Sequence, residues 1–296
     1  MSDYIFEGFT AYHLAWLQSN DLLGGGVREL GALVDMPEVS ETLETYLRDG
    51  EGVIDSEGKL TPAGAELFDP LTSYTDAYWG VATIDSYRQP VKVEMDEELI
   101  DAGLDLGIVD TPRVFFKVTI SHGYVTTAVR AGDGVTINRS PLASRSAEES
   151  AAGEVFSILD PEGSWHGSDV PTLSTSLETA RTAGGFIGSS GVDDRDMARE
   201  MSETGADRKV VDDMIRLVKK PTAAMVTIVR STNDSNVTSN PISVRFFTDG
   251  SAVINSPRTG IDRITRSVFA PWSKSGLADA FKDLKALPVR DRIEYA

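Results

Sequence analysis

The chain has 296 residues, of which 41% are hydrophobic and 25% charged, a balance that belongs to folded globular proteins and excludes wholesale disorder. It contains no cysteine, which removes disulfide scaffolds, thiolate metal sites and cysteine nucleophiles. With 28 Lys+Arg against 46 Asp+Glu it carries a formal charge of −18, which repels phosphate backbones and anionic lipid and argues against nucleic-acid binding and membrane insertion.

The imbalance is confined to the first part of the chain: residues 1–112 hold 23 acids and 5 bases, whereas 113–296 hold 23 of each. The opening MSDYIFEGFTAYHLAW has neither a basic n-region nor an apolar h-region, and no run approaches the roughly 18 apolar residues of a bilayer span. A soluble cytoplasmic protein is therefore expected. Thr10 is placed to cap a helix over 11–19, with Phe9, Tyr12, His13, Trp16 and Leu17 as its apolar stripe. A second helix is predicted from Asp35-Met36-Pro37-Glu38, carrying Val39, Leu43, Tyr46 and Leu47 and ending at Gly50 and Gly52. After a Ser56-Glu57-Gly58 turn, Thr61-Pro62 caps a third.

From Tyr78 the hydrophobic period changes to two. Segments 78–85, 114–121, 124–131 and 134–140 read as strands, the last three joined by His122-Gly123 and Asp133-Gly134 turns that make them antiparallel neighbours. The connection Ser86–Pro112 is too long for a hairpin turn; it carries seven acids and two bases and has room for a short helix near 96–102. Beyond it the pattern gives a helix at 145–159, a loop over 161–171, an indeterminate stretch at 174–190, and helices at 193–202 and 206–219. Strands return at 223–231, 242–250 and 251–256, and helices are predicted near 261–269 and 276–287.

The sheet-forming block occurs twice. VRAGDGVTINRSP (129–141) aligns with VRFFTDGSAVINSP (244–257), and Val118-Thr119-Ile120 upstream matches Val226-Thr227-Ile228. One α+β domain is expected, with a central antiparallel sheet built from two pseudo-twofold-related halves, about 1–145 and 146–296.

The catalytic inventory is thin. His13, His122 and His166 fall in a helix, a hairpin turn and a loop, and no metal-ligand spacing joins them. Neither Gly24–Gly26 nor Gly184-Gly185-Phe186-Ile187-Gly188 matches a phosphate-binding loop, and Gly188-Ser189-Ser190-Gly191 lacks the spacing of a nucleophile elbow. No cofactor, metal or enzymatic activity is expected. Binding is favoured over catalysis, with a small-molecule-binding protein or enzyme of another type, or a non-catalytic regulatory scaffold, as alternatives.

Three passages carry a family resemblance: the N-terminal amphipathic helix ending in Trp16-Leu17, LRDGEGVIDSEGKLTP (47–62), and TDGSAVINSPRTGIDRITRSV (248–268). With the duplicated sheet, this layout resembles the EspG family, chaperones of type VII (ESX) secretion. The resemblance implies a cytosolic one-to-one chaperone that grips the tip of a PE/PPE-type helical heterodimer, and a monomer or weak dimer when free. It implies a contact surface made of the Ser86–Pro112 connection, the strand around 226–230 and the helices after Ala206. The residues so nominated are Glu94, Asp96, Glu97, Glu98, Val226, Ile228, Arg230, Met214 and Leu217.

Overall fold

The computed structural model describes all residues except 1–4, 24, 32–39, 85–88, 91–108, 111, 143–145, 189–191, 234–236, 239 and 291–296. Strand β1 (Ile5–Thr10) runs directly into helix α1 (Ala11–Ser19), as the capping signal at Thr10 predicts. The Thr10 backbone N–H donates to His13 Nδ1 at 2.9 Å, so the ring is neutral with its proton on Nε2. His13 is buried and stacks on Tyr46, ring centroids 4.7 Å apart.

Burial holds the His13 pKa below its ordinary value, outweighing the opposing pull of Glu51. The unfolded chain therefore binds this proton more readily than the folded one. Stability linked to His13 is full above the free-histidine pKa of about 6.5 and is lost as pH falls below it. The thermal midpoint should drop between pH 7 and pH 5.5, with a shallower slope in His13→Gln. Parallel slopes in the two proteins would remove His13 from the account.

Helix α2 (Ser40–Thr45) continues as a π turn over Tyr46–Gly50. The start proposed for this helix at Asp35 lies outside the described residues. Helix α3 (Pro62–Thr72) begins at the predicted Thr61 cap, whose hydroxyl accepts the Gly64 N–H at 3.1 Å. Strands β2 (Asp76–Thr83), β5 (Arg113–Ser121), β6 (Tyr124–Ala131) and β7 (Gly134–Pro141) follow, with a two-residue ladder of β3 (Gln89–Pro90) and β4 (Val109–Asp110) between the first two. Helix α4 (Ala147–Leu159) comes next.

The second part repeats the order. Beyond the short β8 (His166–Gly167), strand β9 (Leu173–Ser176) leads into α5 (Leu177–Gly185), α6 (Asp194–Glu203) and α7 (Arg208–Lys219). Strands β10 (Thr222–Thr232), β12 (Ile242–Phe247), β13 (Ser251–Thr259) and β14 (Thr265–Pro271) then precede α8 (Lys274–Ala286), with β11 (Val237–Thr238) and β15 (Val289–Arg290) as short additions. The indeterminate stretch at 174–190 thus resolves into the end of β9 and helix α5, capped by Ser176.

The main sheet runs β1-β7-β6-β5-β2-β10-β12-β13-β14-β9. Counting outward from the antiparallel centre pair β2·β10, each half presents the same series: central strand, a three-strand meander, then the strand that opened the half. In this series β2 corresponds to β10, β5 to β12, β6 to β13 and β7 to β14. The sequence match of 129–141 with 244–257 pairs β6–β7 with β12–β13 and is therefore displaced by one strand. The Asp-Gly dipeptides at 133–134 and 249–250 thus fall at non-corresponding hairpins, and because antiparallel neighbours share their alternation, adjacent strands imitate one another.

One predicted helix is absent. Ile261, Ile264 and Val268 are spaced like a helical face, but residues 260–264 form a turn, with the Gly260 N–H donating to Ile264 O at 3.0 Å. Thr265–Pro271 is strand β14, paired on one side with β13 and on the other with β9. The β-branched and aromatic Thr265, Val268 and Phe269 fit that half-buried ladder better than a helix.

Side chains alternate between the two faces of the sheet. One face packs α4 and α8 over Tyr78, Phe116, Val118, Val226, Ile228, Val244 and Ile254. On the other face α1–α3 cover Ala128, Val135 and Ile137, and α5–α7 cover Phe247 and Val253. Two helical bundles therefore share one face, each on its own half of the sheet, and the central strands lie between them.

Candidate functional site

The central strands carry the most informative burial pattern. On β10, Val226 and Ile228 are fully buried and Arg230 nearly so, whereas Met225, Thr227 and Val229 between them are not. On β2, Tyr78 and Ala82 are buried while Trp79, Val81 and Thr83 are half-buried. The ladder sets Met225 opposite Thr83, Thr227 opposite Val81 and Val229 opposite Trp79. These six side chains share the face that carries the two bundles, and they form the floor between them.

The floor continues into an apolar groove of about 140 Å³. Its walls are Ala180, Ala183, Gly184 and Ile187 on the α5 side and Met214, Leu217 and Val218 on α7; Val253 and Phe269 join them, and Ser243 and Asn255 supply polar edges. Met225 belongs to both floor and groove and is 40% exposed, and Ile187 at the groove wall is 38% exposed. Large apolar side chains meeting in one concavity differ from scattered surface leucines and mark a surface built to be covered.

The α7 wall is rigidly fixed. Arg245 on β12 donates to the carbonyls of Leu217, Val218 and Lys220 at 3.0, 3.1 and 2.6 Å and to Thr222 Oγ1 at 2.7 Å. Those carbonyls sit at or just beyond the C-terminus of α7 and have no helical partners of their own, so one guanidinium both caps the helix and ties it to the sheet.

The residues nominated from sequence separate into three groups. Met214 and Leu217 line the groove from its α7 wall and are buried in the free chain. Val226, Ile228 and Arg230 lie on the opposite face: the first two pack beneath α4 and α8, and Arg230 is ion-paired with Asp76 at 2.6 Å. They hold the platform up and are not part of its outer surface. Glu94, Asp96, Glu97 and Glu98 lie outside the described residues, as does the helix proposed near 96–102. The alternation of β10 separates Val226, Ile228 and Arg230 from Met225, Thr227 and Val229 on the other face.

The histidines serve local structure. His13 caps α1; His122 sits in the β5–β6 turn at φ 48° and hydrogen-bonds the adjacent Ser121 hydroxyl at 2.7 Å; the His166 backbone bonds Gly250 O. Among the described residues no group of three His, Asp or Glu side chains is placed to hold a metal ion, and no helix is long and apolar enough to cross a membrane. What the geometry provides is a shaped, apolar concavity.

A search of solved structures finds the same architecture in the Mycobacterium tuberculosis type VII secretion system chaperone EspG5, determined in complex with a PE25–PPE41 dimer. The match covers 97% of this chain and 97% of that one, with a TM-score of 0.65 and 12% sequence identity. The fold is that of the EspG chaperones. No protein-family profile matches the sequence, and no curated protein matches it either. The architecture is thus shared at low sequence identity, and the α+β layout expected from the three resembling passages is the one observed. In the EspG fold as this chain builds it, the open floor of β2 and β10 and the α5–α7 groove form one continuous surface.

Proposed function

We propose that this protein is a cytosolic chaperone of type VII secretion that holds a PE/PPE-like helical pair in soluble form before export. The observation that carries the reading is the continuity of the open floor with the α5–α7 groove through Met225, on a scaffold with the EspG fold. A rigid sheet between two helical bundles offers a wide cleft, and the groove beside it takes apolar side chains from the end of a client helix. The chain acts as one domain whose halves, about 1–145 and 146–296, each supply one bundle. Glu94, Asp96, Glu97 and Glu98 of the Ser86–Pro112 connection belong to the same proposal on their charge alone: four acids in one short segment steer a basic client and set the salt dependence of capture.

Co-expression with a PE/PPE-like pair tests the proposal. A soluble three-chain complex should co-elute, and replacing Glu94, Asp96, Glu97 and Glu98 with Ser should slow association and flatten its dependence on salt. Client that stays insoluble in the presence of the chaperone contradicts the function. Unchanged association kinetics in the Ser variant remove these four acids from it.

A further inference from the structure

The β13–β14 hairpin extends beyond the rest of the sheet. Neighbouring β12 ends its pairing with β13 at Asn255, and β9 ends its pairing with β14 at Arg266. The hairpin ladder runs on to Thr259↔Thr265 and closes through the turn at 260–264. Thr259 lies six residues along β13 from Val253 in the groove, about 20 Å at a rise of ~3.3 Å per residue. The tip therefore stands at the opposite end of the sheet from Met225.

Its construction is rigid. Gly260 N–H donates to Ile264 O at 3.0 Å, Arg263 N–H to Gly260 O at 2.9 Å and Ile264 N–H to Asp262 Oδ1 at 3.1 Å, and the Thr259 and Thr265 hydroxyls meet at 3.0 Å. Arg266 grips Asp262 with both terminal nitrogens, at 3.1 and 2.5 Å. Arg263 is held at φ 61°, a left-handed conformation that costs a residue with a Cβ. Ile261 is fully exposed and Ile264 is 55% exposed. Of the three arginines here, Arg266 is paired with Asp262 and Arg258 with Asp283, so Arg263 leaves the tip a net positive charge in a chain of −18. Arg258 is tied to Asp283 at 2.7 Å, and among the described residues the Arg263 guanidinium has no ion-pair partner.

We infer that this tip is a second docking surface, which inserts Ile261 and Ile264 into an apolar cleft on an acidic protein partner, with Arg263 pairing a carboxylate at its rim. Aliphatic anchors surrounded by arginine have the anatomy of an interface hot spot. The positive tip complements an acidic partner, whereas the chain as a whole repels one, so contact is steered to this place. An anionic membrane fits less well: two isoleucines hold less than one acyl chain, which itself binds only marginally, and the −18 charge opposes approach. A second copy would meet tip to acidic half, a heterologous contact that grows into open filaments. The surface is separate from the proposed client cleft and does not rest on it.

The test uses the intact chain and a fluorescent 16-residue helical peptide with Leu at i, i+4 spacing on one face and Glu elsewhere. Anisotropy should show saturable, salt-sensitive binding that weakens at least tenfold in Ile261→Ser/Ile264→Ser and in Arg263→Glu. These side chains are exposed, so thermal midpoints should match the parent; client capture should also persist, which separates this surface from the cleft. Equal peptide affinity in parent and variants, or no binding by the parent, overturns the inference. Variant-sensitive pelleting with phosphatidylserine vesicles overturns it in favour of lipid, and variant-sensitive self-association in sedimentation velocity overturns it in favour of a second copy.

Discussion

Replacing Met225 with Glu should leave the chain folded and reduce client affinity by a hundredfold or more. Met225 is 40% exposed in the free protein, so a carboxylate there stays solvated and the thermal midpoint should move by no more than a few degrees. In the proposed complex the same side chain is covered by apolar client surface. An unpaired carboxylate in such a place costs several kcal/mol, and each 1.4 kcal/mol is a tenfold loss of affinity. Val226→Glu is the informative contrast. Val226 is 1% exposed and lies beneath α4 and α8, so that variant should fail to fold. A Met225→Glu protein that still holds client with parental affinity would take the floor of β2 and β10 out of the binding surface.

Arg230→Met should destabilise the protein by about 3–5 kcal/mol, the usual cost of orphaning one partner of a buried ion pair. Arg230 reaches Asp76 through Nη2 at 2.6 Å and Nε at 2.8 Å, and both residues are less than a tenth exposed. The pair spans the β10·β2 seam, where the two halves of the sheet join. Lys285 on α8 lies 3.9 Å from the other Asp76 oxygen and also bonds Glu148 on α4, so both helices of the covering layer are anchored to the same seam. Removing both charges with Asp76→Leu/Arg230→Met should restore much of the loss, because the penalty comes mainly from the uncompensated charge. Thermal melts of the two single variants and the double variant measure this. Additive losses would mean that the pair is not coupled.

Much of this architecture is written locally. Thr61 marks a helix start because its hydroxyl accepts the otherwise unpaired Gly64 N–H, and Thr10 opens α1 with its own N–H held by His13. The His122-Gly123 turn announces a hairpin because both its residues take left-handed backbone, at φ 48° and 82°; in the next turn that conformation falls on Gly132, at φ 59°, one residue ahead of the expected Asp133-Gly134. The sequence also shows that the sheet block recurs. It does not show which strand of one half corresponds to which of the other, because antiparallel neighbours in one sheet have similar patterns. Only the pairing of β2 with β10 sets that correspondence.

The same limit governs the site. Alternation in Met225–Arg230 separates two sets of side chains, but both are largely apolar, and the set facing the cleft is decided by helices far away in sequence. Val226 and Ile228 are the stronger hydrophobic signal for the reason that they are core. At 259–265 the spacing of Ile261 and Ile264 imitates a buried helical face, whereas the structure exposes both on a turn. In each case a local pattern is real and its partner surface is set by tertiary structure.

The most direct test of the binding face is site-specific crosslinking. Benzophenone side chains placed singly at Met225 and Val229 on the open floor, and at Lys282 on α8 behind the sheet, should be photolysed in the presence of a PE/PPE-like pair. The floor positions should form adducts with the client and the position on α8 should not. Adducts from Lys282 with none from Met225 or Val229 would contradict the account.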